Sequence, residues 1–372
     1  MNIYFWQTMV TPHMAYLANE LASEGHSITY VATELISEER KDLGWSAFNC
    51  DGIKVILAAS KNDVSSVVGQ APDDSIHLCQ GLRGNGLVAY AQKLLRQRKL
   101  LQLPMMESPE QGGFKGSLRK LLYRWLFTFW RGSYLGVLAI GKYTKQWLVN
   151  RGVSPDKVFD FAYFLNDEIS LTQDIDESNL SKRKFRFIFV GQFIPRKQLD
   201  LLINALAGLD SAEYELWVVG SGPSEKYLSE LAKQRLGDSV VWLGKQDIND
   251  VPRLIAQADC LVLPSWHDGW GAVVSESLMV GTPVICTNTC GASVVVEASG
   301  VGAVVPNNRS ELLKALAKQV EQGKWEKDSR DCLKDWAQCL GAKKGAEYLS
   351  QILDSVAETS DLPYPPWFSG KS

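Results

Sequence analysis

The chain has 372 residues, 45% of them apolar and 22% charged, with a formal net charge of −3. One hydrophobic core stops growing near about 250–300 residues, so two domains are expected, and the nearly balanced charge offers no electrostatic footprint for nucleic acid. No uninterrupted run of about 18 apolar residues occurs, which excludes an ordinary membrane-spanning helix.

In chain order, Ile3–Trp6 is a short apolar run followed by a polar loop to Pro12, a helical pattern over His13–Glu24, and a glycine stop at Gly25. Ser27–Ala32 then alternates like a strand, which makes a βαβ start and predicts a parallel sheet. Further strands are predicted at Ile53–Ala58, Ser75–Cys79, Leu101–Met106, Leu135–Ile140 and Val158–Phe161, with a helix over Gly86–Arg98. His77, inside one of these strands, reads as a satisfied core residue.

Residues 166–184 are polar, contain Asp174, Asp176 and Glu177, and end in Lys182-Arg183-Lys184, the composition of a linker. Asp174-Ile175-Asp176 has the form of a metal-binding acidic pair, but no strand-like run precedes it, and no metal is expected there. The alternation then restarts. Strands are predicted at Arg186–Val190, Tyr214–Val219, Val240–Leu243, Cys260–Leu263, Pro283–Thr287 and Gly302–Val305. Helices are predicted at Leu199–Leu206, up to Leu236, at Val251–Ala258 and at Arg309–Gln322, followed by two more over Trp325–Gln338 and Gly341–Glu358. Two similarly built α/β halves suggest two Rossmann-like domains facing across a cleft. Seven cysteines without metal-type spacing, and a start Met1-Asn2-Ile3-Tyr4-Phe5-Trp6 with no basic leader, fit reduced thiols in the cytoplasm. Cys332 and Cys339, seven residues apart, are expected to share a core-facing helix side.

The chemistry concentrates in the second half. Pro264-Ser265-Trp266-His267-Asp268-Gly269-Trp270-Gly271 joins a strand to a helix, and Glu276 follows Asp268 by eight positions. A glycine turn into a helix N-terminus offers amides and a positive dipole end to an anion, while two carboxylates can accept hydrogen bonds from sugar hydroxyls. A tight turn with a buried Trp and incidental acids would read the same way. Gly191-Gln192-Phe193-Ile194-Pro195-Arg196-Lys197 lies at the first strand–helix junction of this half. Arg196 can clamp a phosphate bidentately and Lys197 adds a point charge, against the alternative of a solvated basic loop. Gly220-Ser221-Gly222-Pro223 lacks the third glycine of a dinucleotide fingerprint, so nicotinamide binding is not expected, and these glycines are read as letting a nucleotide base or phosphate approach.

Taken in order, Gly191…Arg196-Lys197, Val218-Val219-Gly220-Ser221-Gly222-Pro223, Leu243-Gly244, Ala258-Asp259…Leu263-Pro264-Ser265 and the pair of acids resemble glycosyltransferase family 4, closely over residues 185–305 and weakly before them. The resemblance implies a GT-B fold, with an acceptor-binding domain over residues 1–165, a linker over 166–184, a donor-binding domain over 185–354, and a C-terminal segment that packs back on the first domain. It also implies retaining transfer of a sugar from a nucleoside-diphosphate sugar, with that donor as substrate, no cofactor and no metal. Arg196 and Lys197 would bind the diphosphate, Glu276 the ribose, and Asp268 the transferred sugar. Gly191, Gly220, Gly269, Trp270 and Gly271 would line the donor site, and Gln246 would meet the base. Asp268 stands where the family most often has glutamate, a shorter reach that bears on which sugar is carried.

The first half departs from the family. Thr8-Met9-Val10-Thr11-Pro12-His13 has no glycine pair, and Glu107-Ser108 occupies the place of a common histidine. Glu107 is the candidate to take over that histidine's contact, with a plain loop carboxylate as the alternative, and His13 is a candidate on the acceptor side. The segment 114–131 carries Lys115, Arg119, Lys120, Arg124 and Arg131 among aromatics with no acid, like an interfacial helix on an anionic membrane. The expectation is a glycan or polyprenyl-linked acceptor in surface polysaccharide or glycolipid assembly at the inner face of the cell membrane. The alternatives are a synthase with a small soluble acceptor and a catalytically silent GT-B subunit.

Overall fold

In the computed structural model the described residues are 1–34, 52–82, 85–108, 121–128, 131–171, 183–358 and 362–368. The described residues up to Asn166, together with those from Leu340 onward, form one compact unit, and Asp167–Cys339 form a second.

The first unit is built on seven strands: β1 (Asn2–Gln7), β2 (Ser27–Ala32), β3 (Lys54–Leu57), β4 (Ile76–Gln80), β5 (Leu101–Glu107), β6 (Val137–Ile140) and β7 (Val158–Phe161). All pair in parallel, in the order β3-β2-β1-β4-β5-β6-β7. Central strands of such a sheet are covered on both faces and must be apolar throughout, which is why Val137–Ile140 is buried at every position. Helix Pro12–Ser23 starts with proline at its first position and buries Met14, Leu17, Ala18 and Leu21 along one stripe. His77 is a satisfied core residue, as its strand position predicts. It accepts from Trp6 Nε1 at 3.0 Å and lies 2.9 Å from Ser75 Oγ, and burial pushes its pKa down to about 3, so the ring is neutral.

Helix Ala342–Glu358 belongs to this first unit, packed along Pro12–Ser23. Leu165 and Ala342 exchange backbone hydrogen bonds with the returning chain, Leu165 N to Leu340 O at 3.0 Å and Ala342 N to Leu165 O at 2.7 Å. Tyr348 then donates to the Asp160 carbonyl at 2.9 Å. The approach is so close that a Cβ on Gly345 would lie 2.3 Å from the Phe164 ring.

The second unit has β8 (Phe185–Val190), β9 (Tyr214–Val219), β10 (Val240–Gly244), β11 (Cys260–Leu263), β12 (Val284–Thr287) and β13 (Ala303–Val305), all parallel, in the order β10-β9-β8-β11-β12-β13. Counted from β8 this is 3-2-1-4-5-6, the doubly wound order, whose strand sequence reverses between β8 and β11. Its core includes Phe187, Phe189, Leu202, Ile203, Leu216, Val218, Val262 and Ile285. At the opposite end from the strand-end loops, Asp259 is held by Arg183 at 2.5 and 2.8 Å and lies 3.6 Å from Arg330, which itself donates to the Ala256 and Ala258 carbonyls.

One expectation needs correction, and one helix goes unpredicted. Cys332 is exposed, because helix Lys327–Ala337 turns Arg330, Leu333 and Ala337 inward and ends before Cys339. Helix Lys61–Gln70, which apolar periodicity does not reveal, buries only Val64 and Val68, and its start is fixed by a reciprocal Ser60–Asp63 capping box. Asp174-Ile175-Asp176 lies outside the described residues, as do Lys115, Arg119 and Lys120 of the basic segment.

Candidate functional site

Ligands of open α/β sheets bind at the carboxyl ends of the strands, where the strand order reverses. In the second unit that point lies between β8 and β11, and the loops leaving these two strands carry Arg196, Lys197 and Asp268. Residues separated by 71 positions are therefore brought together by topology alone.

The loop after β8 is pinned before it reaches its cations. Gly191 N donates to Val219 O at 3.1 Å, Phe193 N to Ser221 O at 2.9 Å, and Ser224 N to Phe193 O at 3.0 Å. Phe193 is buried, edge-on to Trp242. Gly220, at φ +133°, is required by the chain itself, since a Cβ there would fall 2.0 Å from the Gly191 carbonyl oxygen. A single turn of 3₁₀ helix over Pro195–Lys197 then presents the two cations.

The loop after β11 is laced to it. Trp266 N donates to Arg196 O at 2.9 Å and Arg196 Nη1 to His267 O at 2.8 Å. Lys197 Nζ donates to Asp268 Oδ2 at 2.5 Å, Arg196 Nη1 lies 3.7 Å from Asp268 Oδ1, and Ser265 Oγ lies 3.4 Å from Oδ2. The Asp268 backbone is held by Thr289 and Gly291, and the Ser265 carbonyl accepts from Thr287 Oγ1 and Thr289 Oγ1 at 2.5 and 3.0 Å. Asn307 ties the Pro264 carbonyl to the Gln198 side chain. Gly269 follows in the same loop. Trp270 is buried and donates to Ser275 Oγ at 3.1 Å, so its side chain is a wedge under the loop and not a ligand surface. Gly271 (φ +89°) caps helix Ala272–Met279, and a Cβ there would meet Cys290 Sγ at 2.9 Å.

Glu276 lies on that helix, partly exposed. Burial of its carboxyl lifts it to about 7, and among the described residues it makes no hydrogen bond or ion pair. Such a carboxyl keeps its proton below about pH 7 and is ionised, and able to accept from hydroxyls with both oxygens, above it. Gln246, in the loop after the edge strand β10, donates to Leu243 O at 2.5 Å. Trp266 goes unremarked in the motif reading, yet it is 60% exposed on a loop whose backbone is fixed. Its signal in sequence is a large aromatic between a strand end and a glycine turn.

The remaining candidates belong to the first unit. Glu107 ends β5 and accepts from Tyr163 Oη at 2.7 Å, and His13 stacks on the same Tyr163 ring at 5.3 Å and 23°. Tyr163, which no motif singles out, thus joins the two first-unit candidates. No group of three or more His, Cys, Asp or Glu with metal-binding geometry occurs among the described residues.

Residues 172–354 match the family model described as Glycosyl transferases group 1. Among curated relatives, the lipopolysaccharide glucosyltransferase WaaG of Escherichia coli (strain K12) is 27% identical over 178 residues, 46% of each chain. A D-inositol 3-phosphate glycosyltransferase of Salinispora arenicola (strain CNS-205) is 35% identical over 139 residues, 34% of this chain and 31% of that one. The chain spans about half the length, or less, of the curated relatives it matches. Similarity to solved structures runs through the whole chain. A glycosyltransferase of Rickettsia africae ESF-5 superposes with a TM-score of 0.71 at 16% identity, covering 96% of this chain and 99% of that one. Anabaena Alr3699/HepE in complex with UDP gives 0.70 at 18%, covering 95% and 100%. These likenesses establish the fold, two parallel α/β sheets of the GT-B class. Residues 172–354 thus carry the match to the glycosyl transferases group 1 family, on a chain that has the GT-B fold.

Proposed function

We propose that the protein is a retaining glycosyltransferase that moves a sugar from a nucleoside-diphosphate sugar to a glycan or lipid-linked acceptor in surface polysaccharide or glycolipid assembly. The observation that carries this reading is the pairing, at one topological switch point, of two phosphate-type cations with a carboxylate, followed on the next helix by a buried carboxyl with no hydrogen bond or ion pair among the described residues. Arg196 and Lys197 hold the diphosphate and stabilise the charge that develops as the anomeric C–O bond breaks. The acceptor oxygen forms its bond on the same face, and its proton passes to the departing phosphate oxygen. Glu276 accepts from the ribose hydroxyls and Asp268 from those of the transferred sugar. Gly191, Gly220, Gly269, Trp270 and Gly271 shape the donor pocket, with Gln246 beside the base. Glu107, held by Tyr163, serves the reacting sugar, and His13 the acceptor.

Several similarities support the donor and the setting. The Anabaena neighbour is known in complex with UDP and with UDP-glucose, and WaaG is a lipopolysaccharide enzyme. A further relative is the putative teichuronic acid biosynthesis glycosyltransferase TuaC of Bacillus subtilis (strain 168). Peripheral contact with the inner face of the cell membrane is supported by residues 121–128. There Leu121 and Trp125 are 69% and 53% exposed beside exposed Arg124, while Tyr123, Leu126 and Phe127 turn inward.

The test is donor hydrolysis and sugar transfer by Arg196→Ala and Glu276→Ala, each expected to lose at least about 100-fold in kcat/KM. Rates equal to the parent would remove these residues from the reaction. Transfer that survives exhaustive EDTA treatment is expected from a cation pair acting without a metal, and loss restored by a divalent ion would overturn that part.

A further inference from the structure

We infer that Asp268 competes with the donor's diphosphate for Arg196 and Lys197, and so sets the preference of the site for an intact sugar nucleotide over the spent nucleoside diphosphate. This rests on the donor-site reading above. Both carboxylate oxygens are engaged by the cations assigned to phosphate: Oδ2 by Lys197 at 2.5 Å and Oδ1 by Arg196 at 3.7 Å, with Ser265 Oγ 3.4 Å from Oδ2. The Lys197 and Asp268 side chains are only 14% and 12% exposed, so solvent screens this pair far less than a surface pair. Three backbone hydrogen bonds fix the loop, from Trp266 N to Arg196 O, Asp268 N to Thr289 O and Gly291 N to Asp268 O. The carboxylate can therefore turn about its own bonds while its Cα stays in place.

A diphosphate and a carboxylate cannot share two cations a few ångströms apart without strong like-charge repulsion. When the diphosphate takes Lys197, Asp268 must find other donors. A donor that still carries its sugar supplies them as hydroxyls beside the phosphate. A nucleoside diphosphate without sugar supplies none, so Asp268 returns to Lys197 and the phosphate is weakened. The same carboxylate thus rewards the substrate and expels the product.

Isothermal titration of the full chain with UDP, GDP and ADP, and with their glucose conjugates, tests this. Asp268→Asn removes the charge and keeps the shape, and Asp268→Ser repeats the neutralisation in case the first variant misfolds. For whichever nucleotide the parent binds, both are expected to bind the nucleoside diphosphate at least about ten-fold more tightly. The ratio of sugar-nucleotide to diphosphate affinity should fall by a similar factor. Diphosphate affinity equal to or weaker than the parent's in the folded variants overturns the inference. Arg196→Ala separates the two levels. If it weakens diphosphate binding while Asp268→Asn does not strengthen it, only the competition fails. If Arg196→Ala leaves binding unchanged, the donor site itself is misplaced.

Discussion

Glu276 couples stability and function in opposite directions. Its carboxyl is raised from 4.5 to about 7 by burial, and it makes no ion pair among the described residues. Below pH 4.5 the folded and unfolded chains both carry the proton, and the residue is neutral to stability. Between 4.5 and 7 the unfolded chain ionises while the folded one keeps its proton, so stability falls as pH rises; above 7 the full cost is in place. A displacement of that size corresponds to roughly 3 kcal/mol at most, allowing for the partial exposure of the side chain. Glu276→Gln removes the ionisation and keeps the shape. Its melting temperature should match the parent's near pH 4.5 and exceed it by up to about 6–10 °C at pH 8.5, for a unit of this size. At pH 8.5, where the folded parent is ionised, nucleotide binding by the same variant should weaken at least about ten-fold if Glu276 holds the ribose as proposed, because the hydroxyls lose a charged acceptor. Thermal melts across pH, with titration of the nucleotide, read both quantities. A difference in melting temperature that does not change with pH would refute the argument from burial. Unchanged nucleotide affinity would remove Glu276 from the ribose.

Three other expectations follow from packing and exposure. Gly345→Ala should cost about 1–3 kcal/mol, because the new methyl collides with the base of the Phe164 ring, seen as a lowered melting temperature and faster proteolysis of the C-terminal helix. Arg330→Ala should cost about 3 kcal/mol or more, since its side chain is 4% exposed and its loss strands two carbonyls and leaves Asp259 to Arg183; equilibrium urea unfolding measures it. Trp125→Ser with Leu121→Ser should lower co-sedimentation with phosphatidylglycerol vesicles several-fold without changing donor hydrolysis, because both side chains point outward. Equal sedimentation would count against a membrane-facing helix.

Much of the fold is legible because fully buried parallel strands leave a plain mark. Cys260–Leu263, buried at every position, occupies the span its apolar run predicts, and Tyr214–Val219 and Val158–Phe161, each interrupted by a half-buried acid, also fall where expected. Helix Lys61–Gln70 escapes an apolar-period reading because only two of its residues are buried, although Ser60 and Asp63 spell its capping box. At the candidate site, the residue types and their order are legible but their partnerships are not. Lys197 and Asp268 are joined by the crossover from β8 to β11, which no local spacing encodes. Trp270 and Trp266 stand in one loop with the same side chain, yet Trp270 is buried with its ring N–H donating to Ser275 while Trp266 is exposed, a difference that residue type does not encode. Tyr163 acquires its place only when β5 and the segment after β7 are side by side with helix Pro12–Ser23.

The most direct test of the central claim is calorimetric titration of the parent chain, Arg196→Ala and Lys197→Ala with UDP-, GDP- and ADP-sugars. One nucleotide series is expected to bind the parent in the micromolar range, to bind each variant at least about ten-fold more weakly, and to lose affinity as salt is raised. Failure of every sugar nucleotide to bind the parent, or equal binding by parent and both variants, would contradict the account.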